Sequence, residues 1–252
     1  MIVAICVFSL FHPVEFEVQP ARAAILVVEQ RGHRQTLEGR STVKLKAQAT
    51  ITGREGTETR FVLSIPGKIR REFHGRLDVR EENGHLLAIV TMELENAVAS
   101  IVAAESPPTA LLEARKAQAV VARSFLNAAR GRHAGFDFCD TTHCQFLRDA
   151  PVPGSLSAAA AAETRGQVLA YQGRMIAALY SANCGGNTRT LEEAGWNAEP
   201  YPYFAVECPM RGTIAGHRIG MCQEGAAQLA RNGSNFREIL ALYFPAATIE
   251  TR

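Results

Sequence analysis

The chain has 252 residues, of which 47% are hydrophobic and 21% charged, and its formal net charge is +2. That composition belongs to a folded globular protein, not a disordered or fibrous one, and the length allows one large domain or two small ones. No basic run interleaved with aromatics is present, so a phosphate-backbone binder is excluded and nucleic acid is not an expected partner.

In chain order, residues 2–11 form the first apolar run, Ile-Val-Ala-Ile-Cys-Val-Phe-Ser-Leu-Phe. Ten residues do not cross a bilayer, so no transmembrane segment is expected there. Two readings stand: the h-region of a signal peptide with Ala21-Arg22-Ala23 as its cleavage site, or a first buried strand broken by His12-Pro13. No Lys or Arg precedes the run, which weakens the former. From Ser41 to Ile51 apolar and polar residues alternate, which predicts one half-buried strand, and a turn follows over Gly53 to Gly56. Phe61, Leu63 and Ile65 alternate before Pro66-Gly67, and a further run carries Ile69 and Phe73. Asn83-Gly84, between Leu77–Val79 and Leu86–Val90, is the strongest hairpin signal.

After Thr91 the period becomes helical. Leu94, Ala97, Val98, Ile101, Val102 and Glu105 share one face until Ser106-Pro107-Pro108 stops the run. A second helix is expected from an N-cap at Thr109, with Leu111, Ala114, Ala117, Val121, Phe125 and Ala128 as its apolar stripe and Gly131 ending it. An Ala-rich helix over Ser157–Arg165, a hairpin at Gln172-Gly173 and a last helix over Glu224–Arg231 follow. The expected fold class is α+β. An N-terminal antiparallel β module, residues 1–90, precedes a mixed catalytic region, residues 91–252, with a helix-turn-helix unit carrying Glu105.

Two constellations carry chemistry. Glu105 continues an apolar stripe close to a helix C-terminus, where desolvation and the helix dipole both disfavour its charged form. A carboxyl group held protonated suits general acid catalysis, although a solvated Glu at a frayed helix end has the same sequence signature. His133, Cys139, His143 and Cys144 offer two imidazoles and two thiols within twelve residues, the donor set of a closed tetrahedral zinc site. A Cys139–Cys144 disulfide or two free thiols are the alternatives, but neither uses the histidines. Four protein ligands would make the metal structural. Cys6 reads as a buried apolar residue, and one pair among Cys184, Cys208 and Cys222 is a candidate bridge in an exported protein. Cys184-Gly185-Gly186 is a tight turn or a ligand-approaching loop, and His217 sits in a Gly-rich turn before a helix. No G-x-S-x-G elbow, Walker loop or H-E-x-x-H helix occurs.

Several ordered stretches resemble the SpoIID/LytB family of stage II sporulation protein D and the amidase enhancer, over about residues 90 to 245. They are Val102-Ala-Ala-Glu105-Ser-Pro, Leu112-Glu-Ala-Arg-Lys116-Ala-Gln118 through Arg123-Ser-Phe, and Cys139-Asp-Thr-Thr-His-Cys144-Gln. Glu163-Thr-Arg-Gly166, Tyr180-Ser-Ala-Asn-Cys-Gly-Gly186 and Gly216-His217-Arg-Ile-Gly-Met-Cys-Gln223 support them. The resemblance implies an extracytoplasmic lytic transglycosylase that acts on peptidoglycan glycan strands, preferably peptide-stripped, with Glu105 catalytic and zinc on His133, Cys139, His143 and Cys144. It implies a second possibility, a non-catalytic enhancer that works with a cell-wall amidase. Expected substrate contacts are Gln118 and Arg123 on the polar side of the second helix, with Ser181, Gly185, Gly186, His217 and Gln223 from the supporting stretches. Cys184 and Arg218 depart from the family pattern.

Overall fold

The computed structural model describes residues 1–150 and 152–252. Its strands and helices run β1 (Ile2–Val7), β2 (Phe16–Pro20), β3 (Leu26–Gln30), β4 (His33–Leu37), β5 (Val43–Leu45), β6 (Ala49–Thr52), β7 (Thr59–Ile65), β8 (Ile69–Glu82) and β9 (His85–Glu93). Then come α1 (Leu94–Glu105), α2 (Leu112–Ala128), β10 (Phe138–Cys139), α3 (Leu156–Glu163), β11 (Gln167–Tyr171), β12 (Arg174–Met175) and β13 (Tyr180–Ser181). β14 (Met221–Cys222), α4 (Gln223–Arg231), α5 (Phe236–Tyr243) and β15 (Thr248–Thr251) complete the chain, which is α+β. By compactness it forms two units, residues 1–104 with 130–150 and residues 105–129 with 151–252.

The first unit is built on a ten-stranded sheet in which β1 pairs antiparallel with β9 and parallel with β10. Residues 2–7 are thus a buried strand. β8 is long because it serves two sets of partners: Ile69–Gly75 pair with β7, while Arg76–Glu82 pair with β9. The changeover falls at Gly75, where a Cβ would strike the Thr91 carbonyl oxygen. Gly75→Ala should therefore destabilise the protein by roughly 1–3 kcal/mol, the usual cost of overpacking; a denaturant melt of the variant checks this. The β8–β9 turn is a two-residue hairpin with Glu82 opposite His85 and positive φ at both Asn83 (50°) and Gly84 (79°), as the Asn-Gly signal demands. Phe8, Phe16, Phe61 and Phe73 meet at ring centroids 5.8–6.5 Å apart and centre the core.

One strand was expected over Ser41–Ile51, and two are present. The alternation persists, with Leu45, Ala47, Ala49 and Ile51 all buried. However, the chain breaks pairing between β5 and β6, so that β5 joins β2 while β6 joins β3 and β8. Periodicity reports which face is buried, not which neighbour is paired. α1 is fixed within this unit: Leu94 N–H donates to the Met1 carbonyl at 2.9 Å, and the Ser100 hydroxyl bonds both the carbonyl and N–H of Arg148.

The second unit is organised around α2, which contacts α3, α4, α5 and β11. With neighbours on so many sides the helix is buried almost all round from Ala117 to Leu126, including Gln118, Arg123 and Ser124. Its expected beginning needs correction. Leu111, 47% exposed, flanks the first turn without a side-chain cap, and Thr109 does not cap it. Arg115 instead fastens the preceding loop through the carbonyls of Ala110, Pro107 and Pro108. α4 is likewise not the last helix. α5 follows, opened by a capping box in which Asn235 accepts from Glu238 N–H and Glu238 accepts from Asn235 N–H. β11 pairs with β12 and β15, and β13 lies parallel to β14.

Candidate functional site

Glu105 is the last residue of α1 and is half-buried. Its surroundings within the second unit are polar and largely desolvated. The Gln223 side-chain amide donates to the Glu105 carbonyl at 2.7 Å and lies 3.4 Å from Gln118 Oε1. Gln223 is placed by the start of α4, and Gln118 by the buried face of α2. The Tyr180 hydroxyl is buried and meets no partner of regular hydrogen-bond geometry. Burial first, then the charge of Glu105 and a looser hydrogen bond to it, push that phenol well above its ordinary pKa. A neutral phenol O–H is thus directed toward the carboxyl group. Ser106 Oγ, beside Glu105 in the chain, and Gln118 Nε2 are also buried without a protein partner. Buried polar atoms normally find partners, so these two groups, one next to Glu105 in the chain and one joined to its carbonyl through Gln223, are suited to meet a polar ligand.

His217 accepts the Ile219 N–H on Nδ1 at 3.0 Å. Burial lowers its pKa, opposed by a hydrogen bond to the Tyr180 backbone, so the ring is neutral with its proton on the other nitrogen. Trp196, 46% exposed, lies over this imidazole at 5.2 Å. Ser181 is buried with an unmatched hydroxyl. Gly185 N–H is taken by Asn183 Oδ1 at 2.9 Å, and the Gly186 carbonyl accepts from Cys208 N–H, so the Gly pair makes a structured turn.

The second helix does not present Gln118 and Arg123 on a polar surface. Arg123 is 1% exposed, and its guanidinium donates to the carbonyls of Ala119, Ala161 and Gln167, which makes it a clamp between α2, α3 and β11. A buried charge saturated by carbonyls has no donor face to turn to a glycan. Gln118, equally buried, does reach the Glu105 surroundings through Gln223. Tyr180 and Ser106 were the contributors that sequence spacing missed. Both are neighbours of residues singled out by pattern, but only folding brings Tyr180 to Glu105.

In the first unit, His133, Cys139, His143 and Cys144 converge, with all four donor atoms within 4.8 Å of one another. His133 Nε2 is 3.4 Å from Cys144 Sγ, and His143 Nδ1 is 3.5 Å from Cys144 Sγ and 3.8 Å from Cys139 Sγ. Tetrahedral arms of ~2.3 Å to sulfur and ~2.0 Å to nitrogen put such donors roughly 3.5 Å apart, so the set fits a metal ion. The two thiols are not bridged. Thr141 Oγ1 sits 3.2 Å from Cys139 Sγ and accepts the His143 N–H, shaping the turn that lets adjacent His143 and Cys144 converge. Burial and the nearby His143 and Arg132 lower the His133 pKa, favouring its ligating neutral form. Asp140 supports the loop by accepting from Phe8 N–H and Arg71.

Residues 82–171 match the family model described as SpoIID, Stage II sporulation protein. That stretch contains Glu105 and the four His/Cys residues. An uncharacterised protein of Brachyspira hyodysenteriae is 30% identical over 133 residues, 52% of this chain and 36% of that protein. The chain thus spans about a third of that relative's length. The match supports a cell-wall-related role. Among the described residues, no helix is long and apolar enough to cross a membrane.

Proposed function

We propose that this protein is an extracytoplasmic lytic transglycosylase, cutting peptidoglycan glycan strands between N-acetylmuramic acid and N-acetylglucosamine, with residues 91–252 as its catalytic region. The observation that carries the reading is the setting of Glu105, a half-buried carboxyl group facing a neutral Tyr180 phenol, with unmatched donors on Ser106 and Gln118 nearby. Glu105 protonates the leaving glycosidic oxygen, and its carboxylate then removes the C6 hydroxyl proton of the muramic residue as that oxygen closes the 1,6-anhydro ring. One carboxyl group serves both steps because the nucleophile belongs to the substrate, unlike in the paired-carboxylate hydrolases. The Tyr180 hydroxyl is suited to hydrogen-bond Glu105 while it is ionised between them. Gln223, by holding the Glu105 carbonyl, restrains the backbone from which the carboxyl group projects.

Zinc is the ion that two thiols and two imidazoles at these separations suit best, and with four protein ligands it holds the loop together. Trp196, exposed on its outer face and seated on His217, offers an apolar platform of the kind sugar rings stack on. Trp196→Ala should raise KM several-fold with little change in kcat, as loss of uniform binding does; steady-state kinetics on peptide-stripped glycan separates the two.

The deciding experiment is product mass analysis after incubating pure protein with intact and with peptide-stripped glycan. Products ending in 1,6-anhydromuramic acid are expected. Reducing-end muramic acid would mean hydrolysis. No product from the pure protein, together with stimulation of an added cell-wall amidase, would favour the non-catalytic enhancer.

A further inference from the structure

Cys184, Cys208 and Cys222 are far apart in sequence yet meet in the core of the second unit, all three fully buried. Cys184 lies in the turn after β13, Cys208 in the loop that bonds back to Gly186, and Cys222 caps α4. Their sulfur atoms all lie within 4.8 Å of one another, and none is in a disulfide.

What distinguishes this cluster from three packed apolar thiols is the ring of donors aimed at it. Cys222 Sγ accepts the N–H of Cys184 at 3.4 Å and of Gly225 at 3.3 Å. Cys222 Sγ in turn faces the Ala182 carbonyl at 3.8 Å, in the turn that carries Cys184. The Tyr243 hydroxyl lies 3.1 Å from Cys208 Sγ. Gly225 keeps the centre open, since a Cβ there would strike both that hydroxyl and the Cys208 sulfur. A neutral thiol is a weak acceptor that needs no such cradle. Three unbridged sulfurs that converge from three separate segments in a closed core present the soft donor set of a thiophilic cation. A disulfide would engage two of the sulfurs and leave the third without a role.

We propose that Cys184, Cys208 and Cys222 form a second metal site, which binds one thiophilic cation of the class of Zn²⁺, Cd²⁺ and Cu⁺ as a buried tris-thiolate with Tyr243 donating to the Cys208 sulfur. Binding breaks three S–H bonds, releases three protons to solvent and forms three sulfur–metal bonds, with no oxidant or reductant. Soft thiolate donors select such ions over Mg²⁺ or Ca²⁺. Bound metal would tie the turn after β13, the loop at 208 and the start of α4 into one piece.

The test uses the full chain, purified under reducing conditions and titrated with Cd²⁺ while thiolate-to-metal charge-transfer absorption is followed. Two equivalents are expected for the wild type and one for Cys184→Ser, with the variant's fold checked by circular dichroism. Because that variant could fail to fold, the wild type alone also decides: anomalous scattering from Cd²⁺-soaked crystals should place an ion among the three sulfurs. Cadmium density confined to the His133–Cys144 loop would overturn the proposal. So would a disulfide joining any two of the three cysteines in protein isolated without reductant.

Discussion

Glu105→Gln is expected to lower the rate of glycan cleavage by about 10²–10⁴-fold, the usual contribution of a general acid–base group, equivalent to about 3–5 kcal/mol of barrier. The amide keeps the size of the carboxyl group and can still hydrogen-bond the Tyr180 hydroxyl, but it has no proton of useful acidity to give to a glycosidic oxygen. The Gln223 contact is to the Glu105 backbone carbonyl and survives the change. The variant should therefore melt within about 1 kcal/mol of the wild type, as exchanges away from core packing do. Rates from single-turnover digests, with glycan binding measured separately, would check both halves of this expectation. Unchanged cleavage would remove Glu105 from the mechanism. A loss of binding equal to the loss of rate would assign it to substrate recognition instead.

How much of this arrangement could be read beforehand depends on the distance over which each feature is encoded. The β8–β9 hairpin, the extent of α1 and the His/Cys loop are local: Asn83-Gly84 fixes a two-residue turn, Ser106-Pro107-Pro108 ends a helix, and four candidate ligands lie within twelve residues. α5 was local as well, and Asn235-Phe-Arg-Glu238 is a capping-box signature that a search for helix starts would find. The division of Ser41–Ile51 between two pairings, the burial of Gln118 and Arg123, and the approach of Tyr180 to Glu105 depend on partners far off in sequence. Arg123 is the instructive case. A charged residue on a helix reads as solvent-facing until the carbonyls of Ala161 and Gln167 arrive to satisfy it. The three buried cysteines show the same limit, because spacing gave no reason to bring all three to one point.

Removing metal from the His133, Cys139, His143 and Cys144 loop should have the other large effect, on stability before catalysis. The loop is already tied to β1: Asp137 N–H donates to the Ala4 carbonyl at 2.9 Å, Asp140 N–H to the Cys6 carbonyl at 3.0 Å, and Asp140 accepts from Phe8 N–H. These bonds hold its middle. His133 on one side of them and His143 and Cys144 on the other are the candidate ligands, so an ion bound by all four would close the loop. Structural zinc contributes ~10–16 kcal/mol of apparent binding free energy in small finger peptides, where it organises the whole fold. Here part of the order is independent of the metal, so Cys139→Ser or chelator treatment should cost on the order of several kcal/mol. Elemental analysis should find the variant one metal equivalent short of the wild type. Hydrogen exchange should speed up at residues 133–147 while the β8–β9 pairing stays protected. Glu105→Gln, by contrast, should keep its full metal content. A wild-type protein with no metal in this loop after purification without chelator, or with Cys139 joined to Cys144, would refute the ligand assignment while leaving the case for Glu105 intact.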